Sequence, residues 1–150
     1  MAGTDFSQIY DLFTMSVTDY KLIALYNASL TDFATYMSGF LIPAIEEFYN
    51  SDQSLDYSGS TFTETLTQKN INILMLLMKK RWLEKEIDSI LQMNNLVQDR
   101  DFKTFSQSQN MTAKQNRYIL MMEEVSQKLV DYGLNTVDWA TWFSGTFYVP

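Results

Sequence analysis

The sequence INILMLLMKKRWLEKEIDSILQM, residues 71–93, decides the fold of this chain. Apolar residues fill positions 73–78 without a break, and the basic triplet KKR, 79–81, follows directly. After the triplet, apolar residues return at helical spacing between acidic ones. A helix that is apolar on nearly every side must be surrounded by other protein. We therefore predict one long central helix over about 67–93, with Thr67 as its N-cap.

The N-terminal part of the chain has the same helical period. We predict a first helix that Thr4 and Asp5 can cap and a longer helix that begins near Thr31-Asp32. Between them, residues 20–26 can form a short helix or an extended piece, and the helix is favoured. Pro43 lies inside the longer helix, and its ring presses on the carbonyl four residues back, so we expect a kink or a break there. The predicted buried faces are Phe6, Ile9, Tyr10 and Phe13 in the first helix, and Phe33, Met37, Phe40, Leu41, Ala44, Ile45 and Phe48 in the longer one.

Two long loops and a last helix complete the predicted fold. The loops cover 50–66, where 62–66 can form a short strand, and 97–109. The last helix spans roughly 112–132, and Gly133 is its predicted left-handed stop. Its apolar stripe reads Tyr118, Met122, Val125, Leu129 and Tyr132. The fold class is therefore all-α: a small helical bundle around a long central helix, with long loops and an extended aromatic C-terminal tail.

The composition limits the function classes. The chain has 150 residues, the size of one domain, and 18 acidic against 11 basic residues give it a net charge of −7. A dedicated DNA or RNA binder needs clustered positive charge, so that class is not expected. Histidine and cysteine are absent, which removes the common zinc, haem and thiol chemistry. Carboxylate chemistry alone survives, and we expect no enzyme, no metal and no cofactor.

The remaining acidic motifs have simpler explanations than catalysis. Asp99-Arg100-Asp101 lacks the later carboxylates and the glycine of a calcium loop, so a solvated loop or a loop paired with a neighbouring subunit is the better interpretation. The pairs Glu46-Glu47 and Glu123-Glu124 diverge by about 100° on a helix and indicate solvated faces. For Lys79-Lys80-Arg81, pairing with carboxylates within or between subunits is favoured over phosphate binding.

Localisation signals are lacking in the sequence. The N-terminus has no charged-then-apolar signal peptide, and the apolar run 71–78 is too short to span a bilayer. We therefore expect a protein made in a cytosol-like compartment that binds no membrane.

The C-terminal tail is the strongest candidate for a binding segment. We divide the chain into a helical domain, 1–134, and a docking tail, 135–150. The tail carries Trp139, Trp142, Phe143, Phe147 and Tyr148. Trp and Tyr are favoured as interface anchors, and a tail that is ordered by a partner can cover much surface. Docking on the tail's own domain and docking on a partner both remain open at this point.

Three passages resemble the small helical head-to-tail connector proteins, or adaptors, of tailed bacteriophages. They are residues 30–50, 66–91 and 99–134, and they cover more than half of the chain. The resemblance lies in the pattern and order of the helices. It implies a ring, commonly twelve-fold, that sits beneath the portal protein, extends the DNA channel and docks the stopper or the tail-completion protein. Localisation would then be the neck of the virion.

The resemblance also gives the candidate residues their roles. The tail residues Trp139, Trp142, Phe143, Phe147 and Tyr148 become portal-docking candidates. The charged residues Lys80, Arg81, Glu84, Asp99, Arg100 and Asp101 become candidates for the subunit interface. Genome DNA would pass through the lumen without specific binding, which a net negative charge favours.

Three other functions remain alternatives. A stopper or tail-completion protein of the same neck is the nearest, although stoppers are more often β-rich. An acidic inhibitor that mimics DNA would need carboxylates at phosphate-like intervals, whereas the acidic residues here come singly or in pairs. A carboxylate-based hydrolase is the third alternative.

Overall fold

The computed structural model describes residues 3–97 and 104–137, and it confirms the all-α fold class. A two-stranded hairpin is the one addition to the helices among these residues. The elements in chain order are α1 (Phe6–Ser16), α2 (Tyr20–Ala28), α3 (Leu30–Glu47), β1 (Tyr57–Ser58), β2 (Thr61–Phe62), α4 (Gln68–Val97) and α5 (Thr104–Thr136).

Helix α4 is the central element, as the sequence predicts. It packs against α1, α3 and α5. The apolar run buries side chains on several sides of the helix, which fits an element enclosed by neighbours. These residues are Ile71, Ile73, Leu74, Leu77 and Met78. Thr67 caps the helix, because its Oγ1 accepts a hydrogen bond from the backbone N–H of Asn70 at 3.4 Å.

Helices α1 and α2 begin at aspartate caps. The side chain of Asp5 accepts a hydrogen bond from the N–H of Ser7, and that of Asp19 accepts one from the N–H of Lys21, both at 2.8 Å. Each bond satisfies a donor that the first helical turn leaves free. The predicted face of α1 is fully buried, and the predicted short helix over 20–26 is confirmed as α2.

Helix α3 is continuous through Pro43, so the predicted break does not occur. Ser29 caps it by accepting a hydrogen bond from the N–H of Asp32 at 3.2 Å. Its predicted face is buried apart from Ile45, which is half-buried. Packing of this face in the core holds the helix together across the proline, because tertiary contacts can outweigh local propensity.

Replacement of glycine by alanine should change the free energy of unfolding in opposite directions at two positions, Gly39 and Gly3. Gly39→Ala should raise the free energy of unfolding by about 0.5–1 kcal/mol, because Gly39 lies inside α3 and a Cβ there meets nothing within 4 Å. Gly3→Ala should lower it, because the new Cβ would lie 1.6 Å from the carbonyl oxygen of Phe62. Chemical denaturation of both variants tests the pair. A gain for Gly3→Ala would contradict the close backbone approach at the hairpin.

The hairpin lies earlier in the chain than the predicted strand at 62–66. Strands β1 and β2 pair antiparallel, with Tyr57 opposite Phe62. Gly59 lies in the turn with φ 62°, a conformation that glycine adopts at little cost. The N-terminal segment joins the hairpin through a bridge between Asp5 and Thr61. This bridge anchors the start of α1 to the loop before α4.

Helix α5 is longer than predicted at both ends. It begins at Thr104, inside the predicted second loop, and ends at Thr136, past the boundary drawn between residues 134 and 135. The predicted stop at Gly133 is wrong, because Gly59 is the one residue with positive φ in the described part of the chain. The ring of Tyr132 packs edge-on against Phe48, with ring centroids 5.1 Å apart. This contact fixes the helical turn that contains Gly133 against the bundle, so the helix continues past the glycine.

Candidate interaction surfaces

Helices α1, α2 and α3 leave an open groove between them, which we call the acidic groove. It consists of two adjoining pockets of about 380 and about 350 Å³ that share Asp11, Tyr26 and Phe33. The cap residues Asp5 and Asp19 also line it, one in each pocket. The groove therefore combines apolar and aromatic side chains with three carboxylates.

Large apolar side chains remain exposed around the acidic groove. The exposed fraction is 82% for Tyr20, 53% for Ile23 and 63% for Leu30. Helix α2 buries Leu22 alone to the level of the core, so most of its apolar surface faces outward. Grouped exposure of this kind is typical of a protein-binding surface.

A second exposed apolar surface lies on α5, and we call it the α5 ridge: Ile119, Leu120, Val130 and Leu134. Ile119, Val130 and Leu134 fall on one side of the helix because their spacing is close to whole turns. The opposite side packs on α4 and buries residues such as Val125. Leu120, beside this line, is 65% exposed. The two apolar surfaces thus belong to different elements of the bundle.

A charged cluster joins α3, α4 and α5. Lys80 Nζ forms a salt bridge with Glu47 Oε1, and the Lys80 side chain is 9% exposed. Arg81 Nη2 lies 3.0 Å from Glu47 Oε2, an ion-pair contact without hydrogen-bond geometry. Arg81 Nη1 also donates to Glu84 Oε2 at 3.3 Å. The hydroxyl of Tyr118 completes the cluster by donating to Glu84 Oε1 at 2.6 Å.

The phenol of Tyr118 stays neutral over a wide pH range. Burial, followed by the hydrogen bond to Glu84, raises the pKa of Tyr118 to about 12. Because the folded pKa lies above the ordinary value of 10.0, the stability from this group is present below pH 10 and is lost as the pH rises through about 12. The phenol can therefore donate to Glu84 throughout the physiological range.

The structure gives three of the subunit-interface candidates partners within the same chain. Lys80 and Arg81 pair with Glu47, and Glu84 pairs with Arg81 and Tyr118. This corresponds to the intramolecular alternative for the basic triplet. A contact of the same residues with a neighbouring subunit stays a prediction. Glu47 is one member of a predicted solvated pair, and its ion pairs distinguish it from the exposed Glu46.

A second polar network closes the N-terminal end of α4. The side chain of Asn70 is fully buried, and its Nδ2 donates to Asp52 Oδ1 at 3.0 Å and to Gln53 Oε1 at 2.8 Å. Gln53 Oε1 also accepts from the N–H of Thr67 at 2.7 Å. Asp52 accepts a further hydrogen bond from the hydroxyl of Tyr132. The network ties the loop before the hairpin to α4 and α5.

Removal of the Tyr132 hydroxyl should change stability in a pH-dependent way. Hydrogen bonds from Tyr132 and then Asn70 hold the pKa of Asp52 below its ordinary value of 3.8. The stability from this carboxylate is therefore present above about pH 4 and is lost as the pH falls through the lowered pKa. We expect Tyr132→Phe to cost about 1 kcal/mol at pH 7 and less at an acidic pH below the lowered pKa of Asp52.

Denaturant unfolding at the two pH values checks this prediction. Tyr49→Phe is the matched control, because Tyr49 is 89% exposed and should lose no stability at either pH. Equal losses for Tyr132→Phe at both pH values would show that the Asp52 carboxylate is not the partner that matters.

The other candidate residues lie outside the described part of the chain. These are the loop residues Asp99, Arg100 and Asp101, and the tail residues Trp139, Trp142, Phe143, Phe147 and Tyr148. Their predicted roles stay predictions. Within the described residues, no group of three or more acidic side chains could hold a metal ion. No helix there is both long and apolar enough to cross a membrane.

Sequence reasoning did not identify the acidic groove or the α5 ridge. The apolar residues of α2 predicted a short helix without showing which of its sides is exposed, because periodicity cannot tell a buried apolar face from an exposed one. On α5, Ile119 and Leu120 directly follow Tyr118 of the predicted buried stripe, so the sequence pattern did not mark them as a second, exposed apolar surface. The cap Asp5 was predicted from the sequence and the cap Asp19 was not, and their position in one groove follows from tertiary packing alone.

Comparisons with protein-family models, with curated proteins and with solved structures find no match to this chain.

Proposed function

We propose that this protein acts by binding other protein chains, as a head-to-tail adaptor that forms a ring beneath the portal of a tailed bacteriophage. One observation carries the proposal: exposed apolar side chains are gathered on two different surfaces, the acidic groove and the α5 ridge. A subunit of a closed ring needs two such surfaces, because each neighbour is contacted through a different one. The resemblance in helix pattern supplies the more specific role.

The use of carboxylates supports an adaptor over an inhibitor that mimics DNA. Glu47, Glu84 and Glu86 form ion pairs inside the chain. Asp5 and Asp19 cap helices. A DNA mimic needs its carboxylates free and regularly spaced on one face, and these five already make contacts within the chain. The net negative charge then serves a lumen through which DNA moves without binding.

Portal binding is the direct test of the proposed function. The purified chain is mixed with the portal protein from the same genome, with and without residues 138–150, a truncation that leaves α5 whole. We expect ring-bearing complexes with the intact chain, visible by electron microscopy and size-exclusion chromatography. The truncated chain should bind the portal much more weakly.

The outcomes separate the adaptor role from the role of the tail. If the intact chain forms no complex with the portal, the adaptor function is wrong. If the truncated chain binds equally well, the portal-docking role of Trp139, Trp142, Phe143, Phe147 and Tyr148 is wrong, and the adaptor role stands. The intact chain carrying Gln68→Ser, a change at an exposed position outside the acidic groove and the α5 ridge, serves as the control for unspecific loss of binding.

A further inference from the structure

The acidic groove and the α5 ridge carry different charge. Residues 3–34, which form the groove and its surroundings, contain Asp5, Asp11, Asp19 and Asp32 against a single basic residue, Lys21. Three of these aspartates line the groove. An occupant with basic groups beside an apolar surface would therefore complement it.

The N-terminal part of the α5 ridge has this combination. Arg117 is exposed one turn before Leu120, and it forms no salt bridge with any described residue. Lys79 is half-buried on α4, the helix that α5 packs against. Burial and then the charge of Arg117 lower the pKa of Lys79, while Glu124 opposes the shift. Glu123 and Glu124 follow Leu120 by three and four residues on the same helix, so the positive charge of the ridge is confined to the N-terminal side of Leu120.

We propose that the acidic groove of one copy binds the α5 ridge of a second copy, with Leu120 against the apolar lining and Arg117 and Lys79 facing Asp11 and Asp19. This inference rests on the proposed function, since it names the two surfaces that join subunits in the ring. The contact is head-to-tail, because each copy offers both surfaces and uses them on different neighbours. Repetition of one such contact closes a ring when the rotation between subunits allows it.

Charge selects this pairing over the two symmetric ones. Groove against groove would place the aspartates of one copy beside those of the other. Ridge against ridge would bring Arg117 and Lys79 of both copies together. Like charges that face each other across an interface are unfavourable, whereas groove against ridge brings Arg117 and Lys79 beside the aspartates of the groove, next to the apolar contact.

The absence of cysteine makes cross-linking a clean test. Ile23→Cys places a thiol in the groove and Leu120→Cys places one on the ridge, both at exposed positions where the fold should tolerate the change. Each variant alone and an equal mixture are oxidised briefly with copper–phenanthroline. We expect a disulfide-linked dimer of about 35 kDa, twice the 17.5 kDa of one chain, mainly in the mixture.

Controls and opposing outcomes are built into the same experiment. Gln68→Cys, exposed at the start of α4 and outside both surfaces, should cross-link with neither variant. A covalent dimer from one variant alone would indicate a symmetric contact and overturn the proposal, as would equal yields in all mixtures or no product in any. A chain carrying both cysteines should give a ladder of oligomers.

Charge reversal adds a second readout. Arg117→Glu on the ridge partner should reduce the yield of the mixed dimer by roughly fivefold, the effect of about 1 kcal/mol. Asp11→Lys on the groove partner should restore it. Unchanged yields in both cases would remove the charge pairing from the proposal. If the chain binds the portal but forms no disulfide between positions 23 and 120, the proposed interface is wrong and the adaptor function stands. If the disulfide forms but the chain does not bind the portal, the adaptor function is wrong and the interface stands.

Discussion

Leu77→Ala lowers the free energy of unfolding by about 2–5 kcal/mol, the largest effect that we expect from a single core substitution. Leu77 has no exposed surface and lies in the middle of the apolar run of α4. Because α4 packs on α1, α3 and α5, the cavity cannot close by the movement of one neighbour. The lost apolar burial and the remaining cavity therefore both contribute to the cost.

Denaturant unfolding with Leu91→Ala as the control measures this effect. Leu91 is the same residue type on the same helix, and 39% of its surface is exposed. Its replacement changes helix propensity equally and should cost clearly less. Similar losses for the two variants would mean that the apolar run is not enclosed on several sides, contrary to the position of α4 at the centre of the bundle.

Glu47→Ala is the second large effect, with an expected loss of about 3 kcal/mol. The substitution leaves the Lys80 ammonium, on a side chain that is 9% exposed, without the carboxylate that pairs with it. Arg81 loses one of its two carboxylate partners at the same time. A buried charge without a partner costs far more than the pair contributes, since water no longer compensates it.

A neighbouring variant and a double replacement make this prediction specific. Glu46→Ala, one residue earlier on the exposed side of α3, should stay within about 0.5 kcal/mol of the parent. Glu47→Leu combined with Lys80→Met should cost less than Glu47→Ala alone, because it leaves neither member of the pair charged. If the double variant is less stable than Glu47→Ala alone, the prediction is wrong. The attraction between Glu47 and Lys80 would then stabilise the fold by more than an unpaired Lys80 destabilises it.

The sequence predicted those parts of the fold in which local signals agree. The Asp5 cap and the apolar face of α1, the face of α3, and the apolar run and threonine cap of α4 all pointed to the observed helices. Predictions failed where a distant contact decides the structure. Gly133 reads as a helix stop, but Tyr132 beside it packs on Phe48 and the helix continues.

The candidate surfaces were less predictable than the fold. Lys80 and Glu47 are 33 positions apart, and no local pattern pairs them. Lys80 looks like an exposed base within a basic triplet, and tertiary packing buries it. The acidic groove is a similar case, because Asp5 and Asp19 each cap a helix, and they join Asp11 in one site only when α1, α2 and α3 come together in the bundle.

The way α2 is held has a consequence for the motion of the bundle. Helix α2 packs chiefly on α3 and contributes Leu22 alone to the core, whereas the other helices bury several side chains each. Local opening needs little energy where few apolar contacts are lost. Amide hydrogens of α2 should therefore exchange with solvent by local opening of this helix. Those of α4 should exchange only when the whole bundle unfolds. One wall of the acidic groove is thus adjustable, and an occupant would slow the exchange of α2 first.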